Sequence, residues 1–359
     1  LCSGMLTLNF KNLFALVVFV EKALPYSPLC YSGATIKCFD SWFLSNHYKE
    51  KSLSLDEMTR CLEFKHITAF LRISLILIVS FYFCACEKVE KPIKPEPVVL
   101  EYSFFVAGHT YGGAGIDNVG LHPPMEAKFG FIKSDSLMEF GVLTGDIVIS
   151  GSTQNWDDVD ASLALLEMPV YFAAGNHDLT DRPLYESRYG LTYYTFEKHG
   201  DLFIVLDPSL DNWNISGDQL TFIQNTLNEK APSAKNIYVF FHQLLWWSPD
   251  NIYKNVQANS VADRDPNMNF WTEVEPLFNA LPNNVIMFAG DVGKSTTVTP
   301  FMYHHYDNIT FIASGMGNGV TDNFVIVDVW SDKSVTYRLI SLNTAEIDAL
   351  GKLVDYVLP

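Results

Sequence analysis

No cysteine occurs after Cys86. All six (Cys2, Cys30, Cys38, Cys61, Cys84 and Cys86) lie at or before that position, so the remainder can build neither a disulfide nor a thiolate metal site. Basic residues are scarce in the same region. Of 24 Lys/Arg and 41 Asp/Glu in the whole chain, 16 and 35 follow Cys86, a net charge of −19 there. A surface that acidic repels phosphate backbones, which argues against a nucleic-acid partner and suits carboxylates used for metals or solubility. A glycine is missing from "FAGDVGKST", Phe288–Thr296. The stretch ends like a phosphate-binding loop, but Phe288 stands five positions before Gly293, where such a loop needs a glycine so that its N–H groups can curl around phosphates. That excludes the nucleotide reading and leaves the stretch to be explained by the rest of the chain.

What is present is 359 residues with 48% hydrophobic and 14% aromatic content, enough for a large core. Arg60, Lys65 and Arg72 precede an apolar stretch, Ile73 to Ala85, of 13 residues. It is as long as the apolar part of a signal peptide and short of the roughly 20 residues that span a bilayer. It runs into "FCAC", which resembles a loose bacterial lipoprotein box. The expectation is a signal peptide over 58–86, Cys86 as the acylated anchor in a lipid bilayer (Cys84 being the alternative), and a charged, Pro-rich tether over 87–97. Residues 1–57 read as a translated flank or non-structural extension, because Met58 and "TRCLEFKHITAFLR" make an ordinary signal start. The implied location is a bacterial cell envelope, lipid-anchored and either periplasmic or surface-exposed.

From Val98 onward short apolar runs alternate with loops and helical patterns: "VVLEYSFFVA", "LMEFGVLTGDIVIS", "MPVYFAAGNHD", "DLFIVLDPS", "NIYVFFHQ", "NVIMFAGD", "ITFIASG", "NFVIVDVW" and "VTYRLIS". Several are solid Val/Ile/Phe runs, as expected of strands buried on both faces. "ISGDQLTFIQNTLNEK" reads as a helix with Ser216 and Gln219 as a capping box and Leu220, Ile223 and Leu227 on one face. The closing strands have no helices between them. The predicted fold for 98–359 is therefore α/β, a layered sandwich of two mixed β-sheets flanked by helices.

Polar residues recur where these strands end, the edge at which ligands sit in layered α/β folds. They read "AGH" to His109, "GD" at Gly145–Asp146, "GNHD" from Gly175 through Asn176 and His177 to Asp178, "FFH" to His242, and "AGD" to Asp291. The succession resembles the calcineurin-like metallophosphoesterase family, whose signature is DxH, GDxxD, GNH[DE], a later His, and GHxH. The resemblance implies a metal site formed by Asp146, Asn176, His242 and Asp291, with Asp291 where the family has the first His of GHxH. It also implies a second site that here lacks two side chains: Ala107 stands for the Asp of DxH and Gly293 for the last His. Both losses fall on the same ion, so the expectation is one divalent ion (Mn, Zn or Fe) per chain, and Ala107→Asp with Gly293→His would restore the other. Asp117, His122 and His304 are the first candidates for a replacement ligand. His177 takes the place of the leaving-group acid, without the GDxxD carboxylate that orients it in relatives, since Ile149 stands there. His109 either binds substrate, acts as a base or hydrogen-bonds within its loop, and Asp178 either joins the chemistry or braces the loop.

Two further stretches bear on substrate. Trp246, Trp247, Phe270 and Trp271, in a long insert after His242, either wall a cleft or pack the insert onto the domain. "GMGNG", Gly315 to Gly319, reads as a tight turn, and Lys294 as a solvated or cleft-edge cation. The leading expectation is a secreted, membrane-anchored hydrolase of phosphoester or phosphoanhydride bonds in a small phosphorylated substrate. The alternative is a catalytically degenerate relative that binds a surface glycan or protein, and a third reading is hydrolysis of another ester. The anchor is directly testable, because an acylated cysteine stabilises membrane attachment by about 0.8 kcal/mol per buried CH₂. Detergent-phase partitioning should disappear when Cys86→Ala and Cys84→Ala are combined; partitioning that survives both changes removes the lipoprotein reading.

Overall fold

The computed structural model describes Ser74, residues 96–113 and residues 119–359. The expected flank, the signal segment with Cys84 and Cys86, most of the tether, and Asp117 lie outside the described residues. Among the described residues no helix is long and apolar enough to cross a membrane.

Eleven strands are described: β1 Leu100–Ala107, β2 Met138–Leu143, β3 Val170–Phe172, β4 Tyr194–Lys198, β5 Asp201–Val205, β6 Asn236–Phe240, β7 Asn284–Ala289, β8 Phe301–Tyr306, β9 Ile309–Ser314, β10 Asn323–Trp330 and β11 Val335–Ser341. They form a five-stranded sheet in the order β11-β10-β1-β2-β3 and a six-stranded sheet in the order β4-β5-β6-β7-β9-β8. Both are mixed. In the first, β1, β2 and β3 run parallel while β10 is antiparallel to β1; in the second, β5, β6, β7 and β9 run parallel with an antiparallel strand at each edge. This is the expected sandwich.

The solid apolar runs follow from three separate cores. Tyr102, Phe104 and Val106 of β1 meet Phe203, Tyr238, Phe240, Ile286 and Phe288 between the sheets. The alternate residues Phe105 and Ala107 face an outer layer with Trp156, Val159 and Leu163, presented by α1, Thr153–Ala164, at the three- and four-residue spacing that puts them on one helical face. Outside the second sheet, Val285, Met287 and Ala289 of β7 pack with Ile223 and Leu227 of α3, Gly217–Lys230; between them in sequence lies α2, Arg182–Tyr189. The two strands outside the nine apolar runs, β4 and β8, are edge strands. Their half-exposed "YTFEK" and "FMYHHY" lack the signal that burial on both faces leaves.

The capping box does not form. Ser216 Oγ donates instead to Asp211 Oδ2 at 2.5 Å. Gln219 is buried and acts as a backbone substitute for the end of β5, its Oε1 accepting from Asp207 N at 2.7 Å and its Nε2 donating to Asp207 O at 3.0 Å. A free buried N–H and C=O at that point would cost more than an optimised cap gains.

Phe104 is fully buried between the sheets, stacked on Phe140 at 4.9 Å and edge-on to Phe203 and Tyr238. Phe104→Ala should lower unfolding free energy by about 3–5 kcal/mol in urea titration, and a loss below about 1 kcal/mol would show that the inter-sheet layer closes around the gap.

Candidate metal centre

The C-terminal ends of β1, β2, β6 and β7 deliver His109, Asp146, His242 and Asp291 to one edge of the sandwich, with the β3 loop, 173–181, beside them. Glycines make the approach close enough. A Cβ on Gly145, which has φ +81°, would lie 2.5 Å from the His242 ring, and one on Gly175 would lie 2.4 Å from Asp146 N. Asp146 and His109 themselves hold φ of 50° and 53°, a left-handed conformation that side-chain-bearing residues adopt only where the surroundings impose it. Here those surroundings include Tyr111 N donating to Asp146 O at 3.2 Å and His109 N donating to Gly145 O at 3.0 Å.

Three buried donors converge. His242 Nε2 lies 3.2 Å from Asp146 Oδ1 and 3.8 Å from Asp291 Oδ1, and one ligand atom from each residue falls within 4.8 Å of the others. The three site histidines share one arrangement: His109 Nδ1 meets Met316 O at 2.9 Å, His177 Nδ1 meets Ile149 O at 2.8 Å, and His242 Nδ1 meets Thr144 O at 2.9 Å. A carbonyl only accepts, so each Nδ1 carries a proton and each Nε2 is left for the site.

Burial and mutual charge then set the protonation. Burial alone would raise the Asp146 carboxyl, but His242 beside it pulls it well below the usual range. Burial alone would lower His242, but Asp146 brings it up to about 10. Burial pushes Asp291 up to about 7 and His109 down to about 4. His242 Nε2 is nevertheless buried without a well-formed hydrogen bond. An imidazole nitrogen and two carboxylates, buried and imperfectly paired with one another, fit a divalent ion of the hard-to-borderline class, which would displace the His242 and Asp291 protons.

The loop after β3 supplies the rest. Gly175 and His177 both touch Asp146, the latter through its backbone N–H to Oδ1 at 3.2 Å. Asn176, between them, has an exposed side chain, so three of the four expected ligands are brought together while the fourth stands at the rim. His177 is half-buried and is not without support: the Ile149 backbone carbonyl orients its ring in place of a side-chain carboxylate. Asp178 has no exposure. Its Oδ1 accepts from Ile147 N and Val148 N at 2.8 and 3.0 Å, and its Oδ2 from Gly175 N at 2.8 Å. These bonds brace the two loops, the second of the two expected places for Asp178, and burial pushes its pKa up to about 7. His109 is 1% exposed, its ring is fixed by the Met316 carbonyl, and its Nε2 lies 3.7 Å from Asp146 Oδ2 without a hydrogen bond between them. Sequence reasoning missed Tyr111, 3% exposed, whose ring lies between those of His109 at 4.4 Å and His177 at 5.1 Å. An aromatic two positions beyond "GH" was the available signal.

The space around Gly293 is filled by backbone. A Cβ on Gly293, φ +83°, would sit 2.6 Å from Gly315 C and 3.0 Å from Met316 N, and the Met316 carbonyl holds His109. Gly293→His therefore cannot simply restore a ligand. Of the replacement candidates, His122 bonds Asp322 at 3.2 Å and His304 bonds Tyr253 Oη at 2.8 Å. Lys294 is not a solvated cation, since its Nζ donates to Asn259 O. The insert aromatics pack: Trp246 and Phe270 are core residues, and Trp247 and Trp271 lie partly buried against them. Ala107→Asp with Gly293→His should lower the melting temperature without raising bound metal. A second equivalent of tightly bound ion by elemental analysis would show that the 315–317 backbone yields.

A family profile described as calcineurin-like phosphoesterase matches residues 126–267, a span that contains Asp146, Asn176–Asp178 and His242 and ends before Asp291. No curated protein sequence matches the chain. Among solved structures, a purple acid phosphatase from yellow lupin (Lupinus luteus) superposes with a TM-score of 0.51 at 13% identity, covering 70% of this chain and 53% of its own. A Staphylococcus aureus protein described as a 5'-nucleotidase gives 0.38 at 12% identity, covering 68% and 55%. The chain thus spans about half the length of either protein.

Proposed function

We propose that this chain, which carries a calcineurin-like phosphoesterase domain over residues 126–267, is a metal-dependent hydrolase of small phosphoesters or phosphoanhydrides. It works with one divalent ion, Mn, Zn or Fe, and is exported and held at a bacterial cell envelope through acylated Cys86. The observation that carries the hydrolase reading is the buried convergence of Asp146, His242 and Asp291 with the His242 Nε2 directed between two carboxylates. These three would hold the ion, with Asn176 completing the set from the adjoining loop. When bound, the ion supplies Lewis-acid polarisation of a phosphoryl oxygen and neutralises its charge.

The remaining work falls to the chain's own groups. His177 keeps Nδ1–H on the Ile149 carbonyl, so Nε2 is the nitrogen that meets substrate. As the imidazolium it gives the Nε2 proton to the departing oxygen and is left neutral with its Nδ1 bond intact. Tyr111 packs against the His177 ring, and Asp178 fixes the distance between the two loops. The single-ion reading is supported by the backbone that fills the Gly293 side.

A second reading, a catalytically degenerate protein that binds a glycan or protein, is favoured by one feature. His177 leans on a neutral carbonyl, which stabilises an imidazolium less than a carboxylate does. The purified protein should contain one ion per chain and lose it in Asp291→Ala. It should release p-nitrophenol from mono- or diester probes with added Mn, and His177→Ala should slow that release by about 10²–10⁴-fold with the ion retained. Metal-loaded protein that is inert toward all esters favours the binding reading.

A further inference from the structure

Arginine use in the described residues is uneven. Arg182 pairs with Asp207 at 2.6 Å, Arg188 with Asp160 at 2.6 Å and Asp157 at 2.8 Å, and Arg338 with Asp328 and Asp135 at 2.7 Å. Arg264 is the exception among the described arginines. No described carboxylate forms an ion pair with it, although Asp265 and Asp250 lie near enough to favour its charged form, and its Nε is buried without a hydrogen-bond partner. Its guanidinium lies 5.5 Å over the Trp247 ring, whose own Nε1 is likewise buried and unpartnered. The Asp265 oxygens bond elsewhere, Oδ1 accepting from Asn267 N at 2.7 Å and Oδ2 from Asn214 Nδ2 at 3.2 Å. Two donor-only atoms, Arg264 Nε and Trp247 Nε1, therefore lie in neighbouring side chains with no hydrogen-bond acceptor supplied by the described residues.

Both residues start from the metal centre. Trp247 is five positions after His242. On the other side, the Ser260 backbone N–H bonds the Asp291 carboxylate and Asn259 N donates to Asp291 O at 2.8 Å. Arg264 is four residues beyond Ser260, at most about 14 Å of extended chain, and the Arg264 N to Val261 O turn at 3.4 Å shortens that path. Both side chains are half-buried, so they remain open to a ligand at the rim. The centre itself is built on carboxylates in a region of net charge −19, and Lys294, the other nearby cation, donates to the Asn259 carbonyl and acts on the Asp291 carboxylate. A guanidinium stacked on an aromatic face keeps its in-plane N–H fork for a phosphate or carboxylate.

We propose that Arg264, lying over the Trp247 ring, is an oxyanion subsite at the rim of the metal centre, taking a phosphate or carboxylate group of a small anionic ligand. This deepens the hydrolase reading by naming the substrate as an anion that the insert recognises, and it rests on that reading for the ligand's chemical class.

The test is metal-free, so that it does not depend on turnover. Inorganic phosphate and, separately, malonate are titrated by calorimetry into full-length protein stripped of metal on a chelating resin, with tryptophan fluorescence as a second readout. Both anions should bind. Arg264→Met should weaken both about tenfold or more, Arg264→Lys should fall between, and Trp247→Phe, which keeps the stacking face but lacks the indole N–H, should weaken them less than Arg264→Met. Binding of phosphate alone assigns the subsite to phosphoryl groups, and binding of both assigns it to oxyanions generally. Unchanged affinity in Arg264→Met, or no phosphate binding by the unmodified protein, overturns the subsite. Intact Arg264-dependent binding in a protein that hydrolyses no ester overturns the hydrolase reading and leaves the subsite standing.

Discussion

Asp146 and His242 meet at 3.2 Å with almost no access to water, and a charged pair placed there is tolerable only if the surrounding chain supplies what solvent cannot. The local architecture answers that demand. The His177 N–H reaches Asp146 Oδ1, the Thr144 carbonyl takes the His242 Nδ1 proton, and the absent side chain at Gly145 leaves room for the imidazole to lie against the β2 turn. The turn that aims the carboxylate inward carries the left-handed backbone of Asp146. It is held there by Tyr111 N from one side and by the Asp178-braced loop from the other. Remaining mismatch at His242 Nε2 and Asp291 is what a divalent cation would resolve.

The same electrostatics shape the region beyond the centre. Asp146, Asp178 and Asp291 are three carboxylates within one cluster of loops, and each is balanced differently: Asp146 by the His242 imidazolium, Asp178 by three backbone N–H groups, and Asp291, which burial pushes up, by His242, the Ser260 backbone and Lys294. None of the four described arginines is used for this purpose. Three fasten elements of the fold to one another, while Arg264 has no ion-pair partner among the described residues. An anionic substrate approaching so acidic a domain would gain from such a group at the entrance, where solvent screening is weaker than over the open surface.

The parts of this organisation that were legible in the sequence are those written in side-chain identity over several residues. Strands buried on both faces left solid runs such as "NVIMFAG", and the strand-end residues His109, Asp146, His177, His242 and Asp291 announced themselves by falling after those runs. Edge strands β4 and β8 were silent because most of their residues are only partly buried. The support of His177 was illegible for a different reason: it comes from the carbonyl of Ile149, and any residue at that position offers one. Gln219 misled, since the pattern that makes a capping box also permits a buried amide to pair with the Asp207 backbone. Asp178 could be read as acid or as brace until its three N–H donors were located.

The altered last motif shows how far the number of metal ligands depends on backbone and not on side chains alone. Gly108, Gly290, Gly293 and Gly315 interlock without Cβ atoms: one on Gly108 would lie 2.5 Å from Gly290 Cα, one on Gly290 would lie 1.9 Å from Thr144 O, and one on Gly315 would lie 2.1 Å from Val292 O. The 315–319 segment that closes this lattice is itself pinned, with Gly317 N and Gly319 N on Asp322 Oδ1 and His122 on the other carboxylate oxygen. Opening room for a ligand on the Gly293 side would therefore require displacing a loop held at Asp322 and at the His109–Met316 contact, which also orients the residue beside Asp146. The filled side and the donor cluster are thus one packed unit.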